Sequence, residues 1–442
     1  MPRQERDPRL KPPPAVFEIT NALEKAGFQA WCVGGAVRDA LLGHPHLDWD
    51  FATNATPDQV RTVFGRQRTI PVGIEFGTVG VLDSTGVLHE VTTFRHDVKT
   101  DGRHAEVEFG ASLDEDLARR DFTINAVAYS ATTGEIRDPF EGRVDLERRV
   151  VRAVGNAPER MREDRLRALR GMRFAARFEF EIEPATWKAM CESAPHLTRL
   201  SAERVRQELE KTMDQVKTPS VALSLWLSSG AARVLVPEIQ TASEESRRAT
   251  DCAAQPGLPR RPGRRLTRLA VLLSDLAPAA VEQAALRLRF SKHDAQWLST
   301  IIGAWQKLDS AMSERLATGK PDGANVRRWI AIIGRTQLGA FFRLASARWS
   351  DRRANTAGRH GVPGDRAVRA LYRRSLKAAL SEPVDLRDLA VDGDDLRQAG
   401  VQPGPQLGKM LAALLDKVLD DPSLNTRDRL LAAARTLVEK GA

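Results

Sequence analysis

Residues 31–43 read WCVGGAVRDALLG, an apolar strand that runs into a Gly-Gly turn and then a helix. Gly34 and Gly35 let backbone amides approach a bound group closely, and the helix start that follows favours negative charge, so the stretch suits a phosphate cradle. Packing or turn geometry alone would also account for a lone glycine pair. Arg38 stands about one turn into the helix. A few residues on, HLDWDFAT (46–53) places Asp48 and Asp50 two apart in a strand-like run. Alternate side chains of a strand share a face, so the two carboxylates point the same way and repel each other unless a cation sits between them. A divalent metal ion meets that demand; a solvent-facing pair on an edge strand, or a turn, is the plain alternative. Trp49, between them, is expected on the opposite face, packed into the core.

Outward from these two stretches the character stays strand-like from about 28 to 155, with FQAWCVGG, GTVGVLD, GVLHEVTTF, AEVEFG and TINAVAYS as short β-rich runs. Thr56-Pro57-Asp58 reads as a capped helix start. After Pro158 the text turns helical: ERMREDRLRALRGMRFAARF opens a long helical stretch, and SAERVRQELEKTM follows with Ser201 as N-cap, although Arg204 stands where the reciprocal residue of a capping box belongs. The run 243–265, SEESRRATDCAAQPGLPRRPGRR, reads as an exposed linker, and 350–366 as a second break. LTRLAVLLSDL, NVRRWIAIIGRT and RAVRALYRRSLKAAL are helices by their period.

At 442 residues the chain is too long for one core. Its three cysteines, Cys32, Cys191 and Cys252, are widely spaced and form no CxxC, which excludes a disulfide scaffold and a thiolate metal site. The charged, proline-rich start carries no signal peptide, and no apolar run reaches the roughly 18 residues a membrane span needs; a cytoplasmic protein without membrane contact is expected. Lys and Arg number 67 against 58 Asp and Glu, a formal charge of +9, and arginine far exceeds lysine. That balance favours a polyanionic partner, and the planar guanidinium suits phosphate.

Three further motifs carry chemistry. VLHEVTTFR puts Glu90 in an apolar run, where it could complete a metal shell or activate an attacking hydroxyl, or simply pair with Arg95. EDLARRDFTINAVAY (115–129) sets Arg119, Arg120 and Asp121 before Asn125; the arginines could hold a triphosphate, and a surface ion-pair cluster is the competing reading. In EDRLRALRGMRFAARF, Asp164, Arg167, Arg170 and Arg173 recur every third residue and wind around one flank of a helix, with Leu166, Leu169 and Met172 as the apolar stripe. A solvated charged face explains such a pattern too. Chemically, however, a carboxylate that accepts from an exocyclic amine beside an arginine that donates to a ring nitrogen matches the edges of cytosine and adenine, not those of uracil or guanine.

The motifs GGAVRD (34–39), DWD (48–50), RRDFTINA (119–126), EDRLR (163–167) and SAERVRQEL (201–209), in that order, resemble the class II tRNA nucleotidyltransferase and bacterial poly(A) polymerase family. The resemblance extends to 388–431, so it spans nearly the whole chain. It implies an α/β nucleotidyltransferase head, palm-like, with a small mixed β-sheet, followed by an all-α neck, body and tail. The expected division is an N-terminal extension and first helix (1–27), head (28–155), neck with a nucleotide-reading helix (156–215), body (216–345) and a tRNA-binding tail (346–442). By the same resemblance Asp48 and Asp50 hold Mg²⁺, Gly35 and Arg38 contact the incoming nucleotide, Arg120 its phosphates, Asp164 and Arg167 read the base, and Arg170 and Arg173 add nucleotide contacts; from their own places in the sequence, Glu90 is expected to act in catalysis and Gly34, Asp121 and Asn125 to shape the nucleotide site.

The implied activity is template-independent addition of C, C and A to the 3′ end of tRNA from CTP and ATP, with no obligate protein partner. TIPVGIEFGTVGVL (69–82) is more similar to the CCA-adding branch, whereas the segment 96–110 is shorter than in many of its members. A poly(A) polymerase or an enzyme that adds only the terminal A are the alternatives within the family. A non-catalytic RNA-binding protein on the same scaffold is the alternative outside it. His96-Asp97 and His293-Asp294 lack the partners of an appended phosphohydrolase.

Overall fold

The computed structural model describes residues 7–44, 49–100, 105–253, 264–355 and 361–439, with side chains left undescribed at 96–108 and 439. The chain divides into two compact units, residues 1–216 with 221–236, and residues 217–220 with 237–442.

The first unit is built on a seven-stranded sheet. Its strands are β1 (Ala30–Val33), β2 (Asp50–Thr53), β3 (Thr69–Gly73), β4 (Thr78–Leu82) and β5 (Leu88–Thr93), then β8 (Ala128–Tyr129) and β9 (Ile136–Arg137), in the order β3-β4-β5-β2-β1-β8-β9. Between β5 and β8 the strands β6 (Arg95–Thr100) and β7 (Ala105–Phe109) pair as a separate antiparallel hairpin. The large sheet is mixed: β2 and β5 run parallel, with Phe51 opposite Val91, and its other pairings are antiparallel. Period-2 burial sets its faces. On β5, His89, Val91 and Thr93 are buried while Leu88, Glu90 and Thr92 turn the other way. Helix Pro14–Lys25 buries Val16, Ile19, Thr20 and Leu23, the spacing of one helical stripe. Helix Pro57–Phe64 starts on the expected cap, with Thr56 and Gln59 closing a full capping box.

Four expectations need correction. TINAVAYS is not a strand throughout: residues Thr123–Asn125 form a 3₁₀ turn, in which Asn125 and Ala126 donate to the carbonyls of Phe122 and Thr123, and only Ala128–Tyr129 pair with the sheet. The long helix after Pro158 is two helices, Ala157–Glu163 and Leu166–Phe178, because Asp164 is extended and its side chain accepts from the amide of Leu166, the first residue of the second. Asp164 therefore does not share a helix face with Arg167, Arg170 and Arg173. The neck is not purely helical, since β11 (Glu181–Ile182) pairs in parallel with β10 (Val150–Val151). Finally, the run read as a linker contains helix Glu244–Cys252, capped by Ser243, whose buried face is Ser246, Ala249 and Thr250. Such small, weakly apolar residues make a core face that hydropathy does not register; residues 254–263 of that run lie outside the described residues, and Arg264 and Arg265 at its end open helix Arg264–Leu272.

Gly171 brings the second neck helix close to its neighbours. A Cβ there would stand 2.2 Å from Cε of Met190 and 2.7 Å from Cζ of Phe122, so the helix seats directly on the residue that follows Asp121. The second unit is helical in its described residues. Trp305, Phe341 and Trp349 cluster in its core, and buried Arg348 bridges to Asp275 at 2.9 Å. Leu396, Met410, Leu414, Val418 and Leu430 form a further apolar cluster near its C-terminal end.

Candidate active site

Gly34 sits between β1 and helix Gly35–Leu41 at φ 73° and ψ −134°, a conformation that only glycine adopts without strain. A Cβ at this position would come within 3.3 Å of Nη1 of Arg120 and 3.9 Å of Oδ2 of Asp50. The glycine therefore allows an arginine and a carboxylate from two other segments to close on the turn. Gly34 offers no side-chain cap, which leaves the first amides of the helix to other acceptors.

Asp50 opens β2, half-buried, next to the core residue Trp49, which faces inward as expected. Because Phe51 pairs with Val91 in parallel register, Asp50 stands level with Glu90, and both lie on the face opposite the buried one. Glu90 is exposed there; Arg95 donates to the carbonyl of Phe76. Asp48 lies outside the described residues. Asp50 and Glu90 offer hard carboxylate oxygens, the donor set that suits Mg²⁺. Among the described residues no three His, Cys, Asp or Glu side chains converge as a metal site.

These groups line a cavity of about 690 Å³, together with ten arginines and lysines against four carboxylates, so its field favours a polyanion. Every nucleotide-binding residue named from the sequence that lies within the described residues lines it: Gly34, Gly35, Arg38, Arg120, Asp121, Asn125, Asp164, Arg167, Arg170 and Arg173.

Behind the wall these residues form one buried chain of hydrogen bonds. Arg38, only 4% exposed, donates to Asp39 at 2.7 Å and to Oδ1 of Asn125 at 2.6 Å, with its guanidinium over the rings of Phe178 and Phe174. Burial lowers its pKa, with Asp39 opposing. Asn125 passes the chain on to Oδ1 of Asp121 at 2.9 Å, and Oδ2 of Asp121 accepts from Arg170 at 2.7–2.8 Å. Burial alone would raise the Asp121 carboxyl, but Arg170, the Asn125 amide and Arg167 outweigh it and hold the carboxyl at about 2. Arg170 keeps about a third of its side chain exposed, at 33%, so it is the member of this chain that can still turn to a ligand.

Several residues that hold the wall escaped sequence reasoning. Buried Asp116 takes Arg119 on one oxygen at 2.7 Å and Arg120 on the other at 3.1 Å. The two arginines overcome the effect of its burial and lower its pKa. That pairing was legible as the (i, i+3) and (i, i+4) spacing in DLARR. Glu208, 1% exposed, accepts from Arg173 at 2.7 Å, and Gln215 from the same guanidinium at 3.1 Å. Arg177 joins Asp39 to Gln215. Arg167 spends its donors on Glu163, at 2.7 Å, and on the carbonyls of Arg160 and Arg119. The arginine that holds Asp164 in this structure is Arg204, at 2.7 Å, rather than Arg167. Asp164 and Arg204 are each about a third exposed, 31% and 32%.

Residues 30–152 match the family model described as "Poly A polymerase head domain". Residues 179–243 match "Probable RNA and SrmB- binding site of polymerase A", and residues 376–434 a model of tRNA nucleotidyltransferase domain 2. The chain is 34% identical over 433 residues to a CCA-adding enzyme of Limosilactobacillus fermentum, a match spanning 96% of this chain and 98% of that one. A shorter match, 48% identical over 211 residues, covers 46% of this chain and 52% of the CCA-adding enzyme of Streptococcus mutans. The crystal structure of the Bacillus stearothermophilus CCA-adding enzyme in complex with CTP superposes with a TM-score of 0.76 at 28% identity, over 99% of this chain and 100% of that one. With the glycine turn, the carboxylate strand and the arginine-lined cavity in place, and with a relative matched end to end, the chain belongs to the family of class II CCA-adding tRNA nucleotidyltransferases and bacterial poly(A) polymerases.

Proposed function

We propose that this protein adds C, C and A to the 3′ end of tRNA from CTP and ATP and releases pyrophosphate. The observation that carries the reading is the single cavity in which Asp50, Glu90, the arginines of 119–120 and 167–177, and Asp164 come together. The names of the full-length relatives support the CCA-adding branch.

Enzymes of this family use a divalent metal ion; we assign Mg²⁺ to Asp48 and Asp50, where it would polarise the phosphoryl group and lower the pKa of a bound hydroxyl. The chain's own residues do the rest by positioning and charge. Arg120 and Arg170 bind the triphosphate and neutralise the departing pyrophosphate. Glu90 holds the proton of the attacking 3′-hydroxyl. Arg38 and Arg173 act from behind: their donors are engaged by Asp39, Asn125 and Glu208, and they fix the wall from which Arg170 works. Asp164 accepts from the exocyclic amine of C or A while Arg167, tied to it by a 3.1 Å backbone hydrogen bond, exchanges its bond to Glu163 for one to the ring nitrogen. Arg204 occupies Asp164 until a base replaces it. The helical body and tail grip tRNA through phosphates and shape. No helix among the described residues is long and apolar enough to cross a membrane, and the cysteines are free; both suit a protein that works in the cytoplasm.

Nucleotide selection tests the assignment. Asp164→Ala lowers the preference for CTP over UTP, measured as a ratio of kcat/KM on tRNA lacking its last three nucleotides, by about tenfold or more, the worth of one unmatched hydrogen bond in a closed site. Arg167→Ala does the same and Arg204→Ala leaves the ratio in place. An unchanged ratio in Asp164→Ala puts base reading elsewhere.

A further inference from the structure

Nothing in the reaction above uses His89. It lies on the buried face of β5, 1% exposed, adjacent to Glu90 in sequence and turned to the other side of the strand. Both of its ring nitrogens have partners: Nδ1 stands 3.1 Å from the carbonyl oxygen of Trp49 and Nε2 3.3 Å from Oδ2 of Asp83. Each partner is an acceptor oxygen, so a ring N–H on either side has one to donate to, whichever tautomer is present. The Phe51 ring meets the imidazole edge-on at 5.8 Å and holds its plane.

Asp83 is itself fixed. It is 6% exposed, and its Oδ1 accepts from the amide of Thr85 at 2.7 Å, the hydroxyl of Thr85 at 2.8 Å and the amide of Val87 at 2.9 Å, in the turn that joins β4 to β5. Burial pushes its carboxyl up, yet these donors and His89 outweigh it and bring it down to about 2, so the acceptor is ionised at neutral pH. An apolar side chain would fill the place of His89 without the cost of burying a polar ring. What the ring supplies instead is direction, a rigid link from the β4–β5 turn to the peptide between Trp49 and Asp50. That peptide is planar, so a hydrogen bond on the Trp49 carbonyl also sets the orientation of the Asp50 amide and the entry of Asp50 into β2.

We propose that His89 and Asp83 are positioning residues which lock the Trp49–Asp50 peptide and so aim the Asp50 carboxylate at the metal ion it holds. The inference rests on the assignment of Asp50 as a metal ligand. Partners one shell removed from a metal set the orientation of its ligands, and their loss is felt in affinity.

The test uses the full-length protein and Mn²⁺ alone, with free ion followed by electron paramagnetic resonance in the absence of nucleotide and RNA. His89→Phe keeps ring volume and removes both ring nitrogens; Mn²⁺ affinity is expected to fall about tenfold. His89→Gln, which can still donate to Trp49, recovers part of it. In turnover, the Mg²⁺ concentration for half-maximal rate rises by the same factor, while the KM for CTP at saturating Mg²⁺ stays within about twofold. Wild-type Mn²⁺ affinity in His89→Phe overturns the proposal, and so does a metal affinity that falls only in step with the KM for CTP, as a generally loosened head would give. Should the Phe variant fail to fold, Asp83→Asn carries the same comparison. A wild-type protein that extends no tRNA, yet binds Mn²⁺ in a His89-dependent way, defeats the proposed function and leaves this inference standing.

Discussion

Replacing Asp50 by asparagine lowers the rate of nucleotide addition by about a thousandfold or more, equivalent to some 4 kcal/mol of lost transition-state stabilisation at 1.36 kcal/mol per factor of ten. Asparagine has the size of aspartate and leaves the backbone pairing with Val33 intact, so the fold has little reason to respond. What it removes is one unit of negative charge from a cavity where basic side chains outnumber carboxylates. If that charge serves only to offset the arginines, the variant stays nearly as active as the parent. If it holds a cation, the reaction loses the group that neutralises the triphosphate. Single-turnover incorporation of CTP, read beside the melting temperature, separates the two: the expected outcome is a collapse in rate at an unchanged melting point. Retained activity would mean that the Asp50 carboxylate holds no metal ion the reaction needs.

Asp121→Ala produces the largest loss of stability. The substitution leaves Arg170 and the Asn125 amide without their acceptor, and through Asn125 it loosens Arg38. Breaking a buried pair from one side costs about 3–5 kcal/mol; since Arg170 is 33% exposed and can turn to water, the lower end of that range applies. Urea unfolding measures it. Asp121→Asn keeps one hydrogen bond and loses less. The same carboxyl makes the head acid-sensitive. Its folded pKa, about 2, lies below the ordinary 3.8, so the stabilisation is complete above the ordinary value and drains away as the pH falls from near 4 towards 2. The alanine variant lacks this step: its stability difference from the parent narrows over that window. A constant difference would mean that Asp121 is not the titrating group.

How far the sequence reached can be judged residue by residue. The strands Ala30–Val33 and Asp50–Thr53, the glycine turn between strand and helix, and the switch to helices after Pro158 all followed from local pattern, because alternation, turn chemistry and helical period are written in neighbouring residues. The arginines of the cavity wall were visible as residue types. Apart from Asp116 and Glu163, which stand one helical turn from the arginines they hold, their partners were not. Glu208 reaches Arg173 across 35 positions and Arg204 reaches Asp164 across 40, and no spacing rule spans such distances. The break at Asp164 escaped for a related reason. Its side chain accepts from the first amide of the helix it was assigned to, a choice made locally in competition with a plausible helical stripe. The helix Glu244–Cys252 was hidden by composition, since serine, alanine and threonine pack there as a core face.

The most direct test of the central claim is addition of single nucleotides to staged tRNA ends. One substrate ends at the nucleotide before the CCA, one after the first C, and one after the second. CTP alone is expected to extend the first two and ATP alone the third, and the two together stop after a single A. Incorporation of A onto CC ends only, or an unbroken run of A on any end, would contradict the account.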